Sequence, residues 1–383
     1  MLKAVKVRIY PKPDQQLIIH QHFGAVRYIF NHMLALRSKA YKRFNLKLDK
    51  FQLNKHITHL RSKENLSWLK KIDSQALQQA NANLDTAYKN FFKKTGDYPM
   101  FKSKHRSPKS YQIPQRVRVE GKKLYIPKVG LVKMKGWRNF AGKIKTVTIS
   151  ERGGLYFASI LMDVEMDYIP VRNFKSVGID VGVVNLITDS EGFKFKSSDL
   201  EYQTFKLANL QRRLSSKVKF SNNWYKIKRK ISRQHLRISD IKTDNLHKLS
   251  RHYSENQTVV VEDLNIKGMS KSASGTIENP GTNVSAKRGL NRSIQERSWG
   301  KLYEMLEYKL AQRGGRLVRV DPKYTSQRCS CCGHIAKENR KSQSVFICTN
   351  CSFSANADVN AAINIRDLGV QGLNAFSKSD NLV

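Results

Sequence analysis

The chain has 383 residues, 40% of them hydrophobic, and sets 70 Lys and Arg against 30 Asp and Glu, a formal net charge of +40. That length supports two or three domains with real cores, and the charge calls for a polyanion, because so basic a chain repels itself and each phosphate contact releases counterions. All five cysteines lie within residues 329–351, which excludes a secreted disulfide scaffold; no run approaches the ~20 apolar residues of a membrane span, and the N-terminus lacks the apolar core of a signal peptide. A soluble, intracellular nucleic-acid-binding protein is the expectation. Charge alone carries no specificity, so general stickiness or solubility is the rival reading.

Residues 3–10 alternate as Lys-Ala-Val-Lys-Val-Arg-Ile-Tyr and predict a strand, ended by Pro11 and Pro13. Helical stripes follow, first through Val26, Ile29, Phe30, Met33 and Leu34, then through Leu77, Ala80, Leu84, Ala87 and Phe91. Residues 1–150 hold only seven acids, so this part is expected to hold backbone phosphates. Residues 97–115 interleave aromatics with cations. Tyr98, Phe101, Lys102, Lys104 and Arg106 are candidate nucleic-acid contacts there, against an ordinary basic loop. Residues 116–165 predict short strands, among them Lys123–Pro127, Lys145–Ile149 and Leu155–Met162. A small β-barrel, interrupted in sequence by the helices, would bring strand 3–10 beside them.

From residue 174 the texture changes. Ser-Val-Gly-Ile-Asp-Val-Gly predicts a buried strand, residues 204–254 two long basic helices parted near Ser221, and Thr258–Glu262 a short central strand. Residues 266–292 read as a mobile loop rich in Gly, Ser and Asn. Trp299, Leu302, Leu306 and Leu310 mark a helix closed at Gly314 and Gly315, and Leu317–Val320 is a further strand. Strands alternating with helices predict an α/β sheet. The tail has little to bury and is expected to be disordered.

Two patterns carry chemistry. Cys329 and Cys332 form one C-x-x-C pair, Cys348 and Cys351 another, with fifteen residues between. That is the spacing of a four-thiolate zinc ribbon. Cys331 falls inside the first pair; Gly333 suits the turn after Cys332, so Cys331 is read as a bystander and His334 as a weaker substitute. The second pattern is three dispersed acids. Asp180 interrupts an apolar strand between Gly178 and Gly182, Glu262 ends the valine run, and Asp358 opens a helix. A carboxylate inside such a strand is costly unless paired, whereas an acid at a helix start is often only a cap. Together, three acids separated by whole elements can converge at one point of an α/β sheet. Two magnesium ions ~4 Å apart would neutralise them and serve phosphodiester hydrolysis. Asp263 should point to the other side of its strand, and Asp321, before Pro322, reads as a turn residue.

At this point the residues resemble a family. Lys-Val-Arg-Ile-Tyr-Pro, Tyr-Pro-Met-Phe-Lys, Gly-Ile-Asp-Val-Gly, Val-Glu-Asp-Leu-Asn, Tyr-Thr-Ser-Gln-Arg-Cys-Ser-Cys-Cys-Gly and Ala-Asp-Val-Asn-Ala-Ala-Ile-Asn-Ile are similar to segments of TnpB, the RNA-guided DNA endonucleases of bacterial insertion sequences related to type V CRISPR effectors. The resemblance implies a wedge β-barrel at 1–13 and 106–172, a helical recognition domain at 14–105, a RuvC-like nuclease domain of RNase H fold at 173–322 and 357–368, a zinc-ribbon target-binding insert at 323–356, and a tail at 369–383. It maps the catalytic acids onto Asp180, Glu262 and Asp358. It implies a guide RNA from the transposon end, double-stranded target DNA beside a short target-adjacent motif, a monomer on its RNA, and a cytoplasmic, nucleoid-associated location in a bacterium or archaeon. Within the recognition domain Gln75, Gln78 and Gln79 share a helix, and one of them is a candidate reader of that motif, since glutamine can contact adenine bidentately. Ala357 departs from relatives that carry a basic residue before the last acid.

Two rivals remain. A DNA-strand-joining transposase of the His-hydrophobe-His type would need a metal-binding pair, for which His20 and His22 are the only candidates. A nuclease-dead, RNA-guided repressor should have lost an acid, and none is lost.

Overall fold

The computed structural model describes residues 2–138, 141–165, 169–196 and 200–379, with side chains through 373. The chain divides into two compact units, Met1–Met166 with Arg213–Arg233, and Asp167–Arg212 with Gln234–Val383.

The first unit opens with strand β1 (Leu2–Tyr10), followed by helices α1 (Pro13–Phe44), α2 (Lys50–Ser62) and α3 (Ser74–Phe92). Then come β2 (Lys109–Ile113), β3 (Arg118–Glu120), β4 (Lys123–Ile126), β5 (Gly130–Lys135), β6 (Lys143–Arg152) and β7 (Leu155–Asp163). β1 lies inside the resulting sheet, antiparallel to both β7 and β5, so the helices are an insertion between β1 and β2. The seven strands run in the order β2-β6-β7-β1-β5-β4-β3. Alternation drives this arrangement: Tyr156, Ala158, Ile160 and Met162 of β7 all face in. They meet Ile9, Ile113, Leu124, Val132 and Val147, with Val119 of β3 packed against the same core. The sheet therefore curls about one interior. Its described ladders leave β2 and β3 as edges, so the expected barrel is observed as a curled sheet. The helices have their own core of Ile29, Met33, Leu53, Leu69, Leu77 and Leu84.

The few acids of this unit are spent on architecture. Asp49 caps α2 by accepting from the Gln52 N–H at 2.7 Å. Asp73 pairs with Arg116 at 2.6 Å, and Asp85 with Arg37 at 3.2 Å and Lys89 at 3.1 Å. The cations of this part far outnumber its acids, as a phosphate-binding surface requires.

The second unit contains β8 (Asn173–Asp180), β9 (Ile187–Asp189), β10 (Lys194–Phe195), α4 (Glu201–Ser215), α5 (Asn222–Tyr253), β11 (Asn256–Glu262), α6 (Ile266–Met269), α7 (Val284–Arg297), α8 (Trp299–Ala311) and β12 (Arg316–Val320). A ribbon, β13 (Val345–Ile347) and β14 (Ser354–Asn356), leads into α9 (Ala357–Ser379). Residues 213–233 of α4 and α5 group with the first unit, not with the nuclease half as expected from sequence. Arg233 accounts for it, donating to the Gly153 carbonyl at 3.1 Å in the β6–β7 turn.

The sheet order is β10-β9-β8-β11-β12. β8, β9 and β10 form an antiparallel meander, while β11 is parallel to both β8 and β12. The continuous valine run of β11 is explained by cover on both faces. Val259 and Val261 join Leu302, Leu306 and Leu310 of α8 and Leu249 of α5. Val260 faces α9, so close that a Cβ on Gly369 would lie 2.4 Å from Val260 Cγ1. Gly178 has the same cause: a Cβ there would lie 2.1 Å from the Ala362 carbonyl oxygen. No described helix is long and apolar enough to cross a membrane.

Two expectations are corrected. Residues 284–292 of the supposed loop form the start of α7, although that helix buries only Ile294. Hydrogen bonds hold it instead: Asn291 donates to the carbonyls of Ser270 at 3.1 Å and Lys271 at 3.0 Å, and Lys287 to that of Met269 at 2.7 Å. The tail expected to be disordered from 369 continues α9 to Ser379. Gly369 seats that turn against Val260; residues 380–383 lie outside the described residues.

Candidate active site

β8 and β11 run parallel with Ile179 opposite Val261. Asp180 and Glu262 are the next residues on each strand, so they emerge side by side at the same end of the sheet. α9 packs across β8, β9, β11 and β12 and carries Asp358 in its first turn. Asp180 feels both of the others. Burial, then the charges of Glu262 and Asp358, push the Asp180 carboxyl up to about 7. Burial also raises Glu262, opposed by a hydrogen bond from Thr325. Glu262 and Asp358 thus lie near enough to act on Asp180, while among the described residues the four cysteines are the group whose ligand atoms all lie within 4.8 Å of one another. Asp263 is exposed and 3.8 Å from Arg319, and Asp321 accepts from the Lys323 N–H at 3.0 Å in a turn, as read.

Three neighbours had no sequence signal. Thr325 is buried, and its hydroxyl lies 2.6 Å from Glu262 Oε1. Arg340 stands 3.3 Å from Asp358 Oδ1, and its charge lowers Asp180. Tyr303 is buried beside the acids, and its hydroxyl has no hydrogen-bond partner among the described residues. Burial, then Glu262 and Asp180, push its ionisation upward. Carboxylates gathered about buried Asp180, beside the Tyr303 hydroxyl, fit a site for hydrated divalent cations.

Thr325 and Arg340 belong to the cysteine-bearing insert. There Cys329 Sγ lies 3.8 Å from Cys351 Sγ, and Cys332 Sγ 3.6 Å from Cys348 Sγ. All four sulfurs fall within 4.8 Å of one another. Four Zn–S bonds of ~2.3 Å in a tetrahedron need sulfurs about 3.8 Å apart, so the cluster fits structural zinc. Gly333 takes a φ of 78° in the turn after Cys332. Cys331 is exposed and outside the cluster, and His334 is not part of it. The asparagines of Ala-Asp-Val-Asn-Ala-Ala-Ile-Asn dock the ribbon. Asn360 and Asn364, a turn apart and buried, donate to the Arg328 carbonyl at 2.8 and 2.7 Å, and Asn360 accepts from the Ser330 N–H. Ala357 is buried with Phe346, Cys329 and Cys348, which explains a small residue there.

Models of known families match in three places. A "Probable transposase" family covers residues 159–273, the TNB domain of Cas12f1-like proteins residues 299–365, and a "Helix-turn-helix domain" residues 1–47. A protein of Escherichia coli K12 named "Putative RNA-guided DNA endonuclease InsQ" is 41% identical over 96% of this chain and 92% of its own length. The chain belongs to the TnpB family. A Streptomyces pristinaespiralis family member named "Putative RNA-guided DNA endonuclease" is 33% identical over 96% of this chain and 89% of its own. The fold is that of a solved Cas12f1 chain in a complex with single guide RNA and target DNA, with a TM-score of 0.54 at 14% identity, over 96% of this chain and 98% of that one.

The remaining candidates lie in the first unit. Gln78 is exposed on α3; Gln75 donates to Gln115 at 2.9 Å and Gln79 to Asn83 at 3.1 Å. Phe101, Lys104 and Arg106 are exposed. Tyr98 hydrogen-bonds Ser38 and Tyr88. Lys102 turns inward, its ammonium 3.8 Å from the centre of the Phe30 ring, where burial lowers its pKa. His20 and His22 do not converge. His20 bonds the Tyr156 hydroxyl at 2.8 Å, whereas buried His22 bonds the Ile18 carbonyl at 2.8 Å and accepts from the Asp73 N–H at 3.2 Å. The transposase rival thereby loses its metal pair.

Proposed function

We propose that this protein is a magnesium-dependent, RuvC-type DNA endonuclease guided by an RNA from the end of its transposon. It cuts matched double-stranded DNA beside a short target-adjacent motif and acts as a monomer on its RNA. The observation that carries the reading is the placement of Asp180 and Glu262 side by side at the end of two adjacent parallel strands, with Asp358 on the first turn of the helix packed across them; burial, then the charges of Glu262 and Asp358, raise Asp180 to about 7. Asp180, Glu262 and Asp358 are the catalytic acids and would hold two magnesium ions, which when bound supply an activated water and charge stabilisation for in-line attack. Thr325 fixes the rotamer of Glu262, and Arg340 that of Asp358. All three acids are present, which favours a nuclease over a nuclease-dead repressor.

The test is retargeting. The protein is expressed with its element, its bound RNA is sequenced, and the guide segment is replaced. Cleavage should move to plasmids that match the new guide. Cleavage that ignores the guide, or none with magnesium present, overturns the reading.

Motif reading is assigned to the Gln75, Gln78 and Gln79 face of α3, with exposed Gln78 the main reader. Replacing all three by alanine should relax the preference at an adenine of the motif by about tenfold, from the ~1–3 kcal/mol of a bidentate contact. A motif profile unchanged in a randomised-flank cleavage library removes the assignment.

A further inference from the structure

The far end of the helical insertion contains a concave site of about 850 Å³ that the nuclease reaction does not use. It lies between the C-terminal half of α1, the end of α3 and the segment 98–101. Its lining is aromatic and cationic. Tyr41, Phe92, Tyr98 and Phe101 line it and are 54%, 73%, 47% and 64% exposed. Arg37, Lys42 and Lys47 stand among them, and the described lining contains no carboxylate.

Tyr98 is set edge to face with its neighbours. Tyr98 meets Tyr88 at 89° and Phe91 at 87°, with centroids 5.6 and 5.3 Å apart. Phe92 stacks on Tyr88 at 22°, with centroids 6.3 Å apart, and the cluster fixes the rings while the outer surfaces of Tyr41, Phe92 and Phe101 stay exposed. One wall is polar. The hydroxyls of Ser38, Tyr88 and Tyr98 form a triangle with sides of 3.3, 3.0 and 3.1 Å. Three hydroxyls in a ring have three protons for three bonds, and each oxygen keeps a lone pair. The closed triangle therefore offers its lone pairs to the N–H donors of a base, and it can serve an acceptor only by opening one of its three bonds. Arg37 stiffens the wall, with its guanidinium 4.4 Å from the centre of the Tyr88 ring and 3.2 Å from Asp85.

We propose that this cavity captures one unpaired nucleobase of the guide RNA. The base would stack on the exposed rings and present an edge to the hydroxyl triangle, while its flanking phosphates meet Lys42 and Lys47. A second copy of the chain is disfavoured by the net charge of +40, and an apolar protein segment would leave the cations and hydroxyls without partners. Duplex DNA keeps its bases stacked and charges for extrusion, whereas loops and bulges of RNA already offer splayed bases to aromatic side chains. The inference rests on the RNA-guided reading above.

The test uses full-length protein purified with its RNA, as wild type, Phe92→Ala/Phe101→Ala and Tyr98→Phe. The first pair removes exposed rings, and the third removes one hydroxyl and keeps the ring, so the fold should survive; melting curves check that. Chemical probing of the bound RNA should show one unpaired base protected in wild type and reactive in the double variant. RNA affinity should fall roughly tenfold, the loss of about one stacked base. Tyr98→Phe should weaken protection less. Unchanged protection and affinity in a folded double variant overturn the pocket but not the endonuclease. Protection that changes only after target DNA is added overturns the RNA assignment, as does a change in oligomeric state without a change in RNA. A wild-type chain that retains no RNA overturns both readings.

Discussion

Asp180→Ala should abolish guide-matched cleavage while RNA and target binding stay nearly intact. Binding should depend on the many cations of the first unit and of α4 and α5, which lie in other parts of the sequence. Cleavage depends on the trio, and removing one carboxylate misplaces whatever the other two still hold. A loss of several kcal/mol of transition-state stabilisation is a fall of about three orders of magnitude or more. The unperturbed trio also carries a cost for the fold. Asp180 keeps its proton to about pH 7 in the metal-free chain, whereas in an unfolded chain it would lose it near the usual ~3.9. Its folded pKa is raised, so the proton's contribution to stability is complete below about pH 4 and is lost as pH rises to about 7. Metal-free Asp180→Asn should therefore melt higher than wild type at pH 8, with the difference shrinking toward pH 4. Magnesium should close the gap by stabilising wild type alone. Paired cleavage and binding assays, with melting curves at three pH values, decide the matter. Full cleavage by Asp180→Ala sinks the site. Joint loss of cleavage and binding makes the acids structural.

The acids were legible because each breaks a pattern. Asp180 interrupts an apolar strand, Glu262 ends a valine run, and Asp358 follows a cysteine pair at short range. What covers them was not. Thr325 and Arg340 are a common threonine and arginine in a chain with 70 Lys and Arg. Only the docking of the ribbon through Asn360 and Asn364 brings them to the carboxylates. Those asparagines looked like helix filler and are the hinge of the arrangement. The seven-stranded order was hidden for another reason. β1 pairs with β7 across more than 140 residues, and no local pattern records such a partner. α7 and the end of α9 were missed because one is held by hydrogen bonds rather than an apolar stripe, and the other by the missing side chain of Gly369. Lys102 shows the limit of reading cations as surface: its aliphatic stem let the ammonium settle over Phe30.

Cys348→Ser should unfold the ribbon and with it disable the nuclease. The ribbon has a core of four buried residues, Cys329, Phe346, Cys348 and Ala357, two of which are ligands themselves. So small a core does not hold two turns and a two-stranded sheet unaided. Structural zinc supplies folding free energy on the order of 10 kcal/mol in isolated zinc modules, and loss of one thiolate forfeits most of it. The damage then travels by named contacts. If the turn at Cys329 opens, the Arg328 carbonyl leaves Asn360 and Asn364. Thr325, whose carbonyl is also held by Asn364, then releases Glu262, and Arg340 releases Asp358. Zinc content by atomic absorption should fall from one per chain to near zero, and cleavage should fall by about a hundredfold, the usual scale for losing the support of catalytic ligands. Cys331→Ser should keep both zinc and cleavage, since its sulfur lies outside the cluster. Zinc lost from Cys331→Ser and kept in Cys332→Ser would reverse the ligand assignment. Cleavage kept by a zinc-free Cys348→Ser would show that the acids stand without the ribbon, and that Thr325 and Arg340 are bystanders to the reaction.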